Sequence, residues 1–256
     1  MKRPTDEAAA DPWWRSFFEN PDSLRLAFFP GQEVTQYQVD ALDSMMRAWR
    51  PGRVLDLCCG HGRHLVPLAK RGHCVTGIDA SQLMVSRATA ASRAARAPAS
   101  VVQGDASLMP FPSGAFDAVI CLFNSFGYME SDDANEAILR EVTRCLSPGG
   151  RFLLDTRNRA FQLSHLPFSE IVPVESGGAV WLECDVDESG DRLVSVFRCA
   201  GTGRMLHQAS IRAFHLHELR AMFTRAGLHI TETYGGYHWG PFRPDSRELL
   251  IVATKP

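Results

Sequence analysis
Apolar positions change period twice between residues 53 and 79. Val54, Leu55 and Leu57 form a short run with Asp56 inside it. Gly60-His61-Gly62 breaks the run, and Leu65, Leu68 and Ala69 then recur at helical spacing. Gly72 follows as a helix C-cap candidate, because a residue without a Cβ enters the left-handed region without strain. Val75, Thr76, Gly77 and Ile78 make a second short run that ends on Asp79. The pattern predicts strand, glycine turn, helix, strand and acid: a βαβ unit with a carboxylate at the tip of its second strand.

The alternation continues downstream. Ser81 is a good N-cap for a helix to about residue 95, and residues 100–102 form a short strand leading to Gly104-Asp105-Ala106. Residues 116–123 are apolar almost without a break and predict a central parallel strand. Asp132 and Asp133 open a helix with Ile138, Val142 and Leu146 on one stripe, and Ser147-Pro148-Gly149-Gly150 then turns into a strand at 151–155. Residues 161–212 break this rhythm. Three strands at 180–186, 193–199 and 205–214, separated by Ser189-Gly190-Asp191 and Gly201-Thr202-Gly203, predict an antiparallel insertion. A helix at 217–226 closed by Gly227, a strand at 228–234 and a last strand at 248–254 complete the chain. Upstream, Val34, Tyr37, Ala41, Met45 and Met46 place a helix over 33–49. Before it Trp13, Trp14, Phe17, Phe18, Phe28 and Phe29 form an aromatic lead-in, either packing knobs or a flap over a ligand, and residues 1–12 read as a mobile tail.

Three units follow: an aromatic and helical cap over 1–52, a core over 53–160 and 213–256, and the insertion over 161–212, a pocket lid or a dimer face. With 256 residues, 45% of them hydrophobic, the chain can bury a sizeable core. A net charge of −2 gives no global attraction to nucleic acid or anionic lipid, and no apolar run is long enough to span a membrane. The first residues are polar, unlike a secretory leader. Seven cysteines without paired metal spacing, and histidines without ligand spacing, predict a reduced cytoplasmic protein with no metal. A monomer or homodimer is expected.

Glycines at the first turn let a ligand approach the backbone, and a carboxylate at the second strand tip can accept from both hydroxyls of a ribose. A nucleoside is therefore expected across the two strand tips. The dinucleotide fingerprint Gly-x-Gly-x-x-Gly fails, because its third glycine falls on Leu65. This argues against an NAD-dependent oxidoreductase.

The order Asp56-Leu57-Cys58-Cys59-Gly60-His61-Gly62 instead resembles motif I of the class I S-adenosylmethionine-dependent methyltransferases, with Cys58 where that family usually has its first glycine. Gly104-Asp105-Ala106, the Leu-x-Pro-Gly-Gly turn at 146–150 and the Tyr234-Gly235 strand end extend the resemblance over residues 53–159 and 216–256. It implies a Rossmann-like α/β fold: a seven-stranded, mostly parallel sheet with helices on both faces and an antiparallel last strand. It also implies S-adenosylmethionine as cofactor, held by Tyr37, Asp56, Cys58, Gly60, Gly62, Asp79, Ala80, Asp105, Ala106 and Leu122.

The chemistry implied is in-line methyl transfer to a small-molecule acceptor, at O or N in preference to C. Trp14, Asn124, Phe126, Arg157, Tyr237 and Trp239 are expected at the acceptor. Nothing at residues 124–128 matches the Asn/Asp-Pro-Pro-aromatic run of enzymes that methylate bases, so nucleic acid is not expected. His238, Tyr128 and His61 are candidate general bases, His238 first because imidazole titrates near neutrality. His64 is expected to be structural. A non-catalytic S-adenosylmethionine-binding or partner-binding protein is the alternative.

Overall fold
The computed structural model describes residues 12–21, 31–173 and 178–256. Phe28, Phe29 and the tail before Pro12 lie outside the described residues. The elements run α1 (Trp13–Glu19), α2 (Gln32–Trp49), β1 (Val54–Leu57), α3 (Leu65–Lys70), β2 (Val75–Asp79), α4 (Gln82–Ala95), β3 (Ser100–Gln103) and β4 (Phe116–Cys121). They continue with α5 (Asp132–Cys145), β5 (Leu146–Arg157), α6 (Arg159–Ser164), β6 (Phe168–Pro173), β7 (Ala179–Val186), β8 (Arg192–Cys199) and β9 (Met205–Arg212). The chain closes with α7 (Leu216–Arg225), β10 (His229–Tyr234) and β11 (Glu248–Thr254).

Seven strands form one sheet in the order β10-β11-β5-β4-β1-β2-β3, in which β11 alone runs against its neighbours. Because β10 pairs antiparallel with β11, it runs parallel to the rest, and the loop after Tyr234 reaches the carboxyl edge. The strand order reverses between β1 and β4. Connections diverge there and leave a crevice beyond Leu57 and Cys121, where open α/β sheets bind ligands.

Side chains alternate between the two faces, and both faces are covered. Val119, Cys121, Phe152 and Leu154 pack with Leu139 of α5 and Phe223 of α7. Ala118, Ile120 and Leu153 pack on the other side with Val39, Leu42 and Met46 of α2. That double burial is why β4 reads as a continuous apolar run, and each fully buried Leu or Ile contributes about 1.5–3 kcal/mol. Ser81 caps α4 by accepting from the Met84 N–H at 3.1 Å, as its position predicts.

Two readings are corrected. The insertion has four strands, order β6-β7-β8-β9; β6 is mostly exposed and shows no alternation to signal it. The Pro-Gly-Gly turn belongs to β5, whose pairing with β4 slips register beside Phe116. A third apolar cluster joins α1 to the insertion: Phe17 packs with Val180, Leu182, Phe197 and Ala209.

Candidate active site
The crevice at the β1/β4 reversal opens into a cavity of about 290 Å³. Its floor is the carboxyl edge of β1, β2 and β4, and its roof is α1 with β8 and β9. The two halves differ in chemistry. Asp56, Asp79 and Asp105 line the half above β1 to β3, whereas Trp13, Phe17, Phe18, Tyr128, Phe197 and Ile211 enclose the other.

The acidic half is built from the first βαβ unit. Asp79 accepts from the Gly60 N–H at 2.8 Å and from the Ser81 N–H at 2.9 Å. The glycine turn thus clamps the second strand tip, and each carboxylate oxygen keeps lone pairs for a ligand. Burial raises the Asp79 pKa, and the two backbone bonds oppose it. Asp105 accepts from the Ser107 N–H and hydroxyl, both at 2.7 Å, at the cavity rim.

Asp56 is fully buried and its Oδ2 has no hydrogen-bond partner. Burial, with the Asp79 charge beside it, pushes its pKa up to about 7, against the pull of Arg63. Cys58, the departure from motif I, takes a left-handed φ of 59°. A non-glycine residue is strained there by about 1–2 kcal/mol. Cys121 beside it and burial raise its thiol pKa well above the ordinary value.

Arg63 is a site residue that motif reading does not single out. Its guanidinium donates to Gln38 Oε1 at 2.7 Å and Thr35 Oγ1 at 3.2 Å, and lies 4.6 Å over the Phe123 ring. Its Nη2 is buried without a partner. Asp56 and Arg63 thus leave an unmatched acceptor and an unmatched donor on one wall of the cavity. Phe123 and Asn124 both have a left-handed φ of 58°. Asp155 holds them there: its Oδ2 accepts from the Phe123 N–H at 3.0 Å and its carbonyl from the Asn124 N–H at 3.2 Å. Tyr237 donates its hydroxyl to the same Oδ2 at 2.8 Å.

Of the expected cofactor residues, Asp56, Cys58, Gly60, Asp79, Ala80, Asp105, Ala106 and Leu122 line the cavity. Gly62 does not. A Cβ there would stand 3.3 Å from Ala88 Cα, so this glycine lets α4 pack close to the turn. Tyr37 is 51% exposed and outside the lining, and its helix reaches the site through Thr35 and Gln38 instead. Of the expected acceptor residues, Trp14, Asn124 and Arg157 line the cavity. Phe126 is 2% exposed in the core, 5.7 Å from the Phe214 ring. Tyr237 is buried behind the wall, and Trp239 packs against it and Tyr234.

His238 is exposed and off the cavity; its ring folds over its own loop, where a Cβ on Gly240 would stand 2.6 Å from Nε2. The loop does reach the carboxyl edge and its Tyr237 touches Asp155 of β5, but the next residue, His238, faces outward. Tyr128 and His61 do line the cavity. Burial raises the Tyr128 phenol far above its usual range, so it stays protonated at neutral pH. Burial lowers His61, which is therefore neutral there. His64 is buried against Gln38, at 3.1 Å. Ser195, Phe197, Ala209 and Ile211 are further lining residues that no motif marks. Their one signal is spacing by two on predicted strands. Among the described residues no cluster has metal-site composition.

Comparison with known proteins follows from this geometry. Residues 54–150 match the family described as Methyltransferase domain. The chain is 31% identical over 211 residues to the cypemycin N-terminal methyltransferase of Streptomyces sp, covering 79% of this chain and 82% of that one. It belongs to the class I S-adenosylmethionine-dependent methyltransferases. The fold of the methyltransferase is also that of the CcbJ methyltransferase from Streptomyces caelestis, with TM-score 0.76, 22% identity, and 93% and 97% of the two chains covered. An amino pentose methyltransferase from Micromonospora echinaspora, solved with S-adenosylmethionine bound, aligns with TM-score 0.63 at 22% identity over 90% and 98% of the two chains.

S-adenosylmethionine is the cofactor of this enzyme. The residues present fit it. The unmatched Asp56 acceptor and Arg63 donor suit the ammonium and carboxylate of an amino acid, and the doubly anchored Asp79 suits a ribose diol.

Proposed function
We propose that this methyltransferase moves the methyl group to a nitrogen or oxygen of a small-molecule acceptor seated in the aromatic half of the cavity. The observation that carries this reading is the division of one cavity into a half lined by Asp56, Asp79 and Asp105 and a half walled by aromatic rings. The first suits a charged nucleoside and the second an organic body with few polar groups. Relatives support it: one is named for methylation of the N-terminus of cypemycin, another for an amino pentose.

Asp79 would take the ribose hydroxyls, Asp105 the adenine edge, and Asp56 with Arg63 the methionine end. The bound cofactor supplies an electrophilic methyl on a sulfonium. The protein's part is to orient the acceptor in line with it and to exclude water, worth up to several kcal/mol of barrier. Tyr128, protonated at neutral pH, serves as a hydrogen-bond donor that positions the acceptor rather than as a base. Tyr128 and Arg157 are the titratable groups lining the acceptor half among the described residues. The acceptor therefore enters as its free base, an amine that has already lost its proton to solvent or an acidic oxygen already ionised.

The test is methyl transfer from labelled S-adenosylmethionine to a panel of small amines, phenols and acids, with a peptide bearing a free N-terminus, RNA and folded protein as comparators. Turnover on small acceptors supports the reading. Turnover on RNA or folded protein alone overturns it.

A further inference from the structure
We infer that the acceptor of this enzyme carries a carboxylate and that Arg157 is the residue that binds it. The inference rests on the small-molecule reading above and names the class of that molecule. Arg157 is the last residue of β5, and it lines the half of the cavity enclosed by Trp13, Phe17, Tyr128 and Phe197. Its Nε is buried and has no hydrogen-bond partner, and the guanidinium makes no ion pair among the described residues.

The groups near it do not neutralise it. Tyr128, Cys184 and Asp155 are the neighbours its charge acts on, and the first two stay uncharged at neutral pH because burial disfavours their anions. The carboxylate of Asp155 makes no ion pair with Arg157, and its Oδ2 is turned to the Phe123 N–H and the Tyr237 hydroxyl, so it offsets the guanidinium's charge only from a distance. The acidic residues that line the cavity, Asp56, Asp79 and Asp105, stand on the cofactor half.

A guanidinium held in a largely apolar pocket with an unused donor is costly until an anion meets it. Its planar fork matches a carboxylate with two parallel bonds. A phosphate dianion calls for more positive charge, and the other arginine of the lining, Arg63, is held by Gln38 and Thr35. The aromatic walls then define the rest of the molecule: an apolar or aromatic body bearing the acid and the amine or hydroxyl to be methylated.

The test uses the full chain saturated with S-adenosylhomocysteine. Salicylate, anthranilate and phenylalanine are each titrated calorimetrically against their primary amides, on wild type, Arg157→Gln and Arg157→Met. The expected result is that at least one acid binds wild type tenfold or more tighter than its amide. Both variants should lose that preference while S-adenosylhomocysteine affinity stays within twofold. The inference is overturned if none of the three acids binds, if every acid and amide differ by less than tenfold, or if the acid preference survives in a variant that still binds S-adenosylhomocysteine. If one variant fails to fold, the other decides. Turnover of uncharged small acceptors by wild type as fast as of any acid would sink the carboxylate and leave the small-molecule reading standing. Turnover on macromolecules alone would sink both.

Discussion

Acidifying the solution should release the cofactor product S-adenosylhomocysteine from this enzyme, and Asp56 should set where that happens. Asp56 Oδ2 is buried, unpartnered and on the cavity wall. Burial and the adjacent Asp79 push its pKa up to about 7, so below that value the empty site holds a proton. An amino acid ammonium at Oδ2 favours the ionised carboxylate, so binding below pH 7 must expel the proton. Affinity then falls about tenfold per unit: relative to pH 8, about tenfold at pH 6 and about a hundredfold at pH 5.

Calorimetric titration with S-adenosylhomocysteine from pH 5 to 8, in two buffers of different ionisation heat, gives both the slope and the number of protons released. Asp56→Asn should bind more weakly at pH 8 and lose the slope. A flat wild-type affinity across this range, or a slope unchanged in a folded Asp56→Asn, would refute the reasoning. The same group shapes stability. The folded, ligand-free protein keeps the Asp56 proton to about pH 7, whereas the unfolded chain releases it near 4. Its contribution is therefore complete below about pH 4 and declines as pH rises toward 7, by about 4 kcal/mol at most.

Other outcomes follow from the same contacts. Asp79→Ala removes two anchored carboxylate oxygens and unclamps the glycine turn, so S-adenosylhomocysteine affinity by calorimetry should fall about 100- to 10,000-fold, each charge-assisted bond being worth about 1.5–3 kcal/mol. Tyr237→Phe leaves a buried carboxylate with one donor fewer. It should lower stability by about 1–3 kcal/mol, a drop of several degrees in the thermal midpoint by scanning calorimetry, with His238→Ala as a neutral control. Trp13 donates its indole N–H to the Ser210 carbonyl at 2.9 Å and lies 4.9 Å from the Tyr128 ring. Trp13→Ala should therefore unseat α1 from β9, raising the acceptor KM at least fivefold while S-adenosylhomocysteine affinity changes by less than about threefold.

The sequence by itself determined the layered fold and the acidic residues on one wall of the cavity. Both rest on local rules: strands buried on two faces read as apolar runs, helices as stripes, and a ligand at a βαβ turn needs its glycine and its acid within one short segment. Asp56, Gly60, Asp79 and Asp105 were legible for that reason. The acceptor half was legible in part, at Trp14, Asn124, Tyr128 and Arg157; its residues from β8 and β9 were not, because they meet the rest only when the sheet order and the insertion bring them over one crevice.

Tertiary structure alone decided three further points. It turned Phe126 into the core and set Tyr237 behind the wall, where its hydroxyl holds Asp155. It left His238 outside the cavity, exposed on the far side of the loop whose Tyr237 reaches β5. And it gave Arg63 and Arg157 their weight: an arginine in a sequence is ordinary, and only burial among groups that leave a donor unmatched makes it a place for an anion.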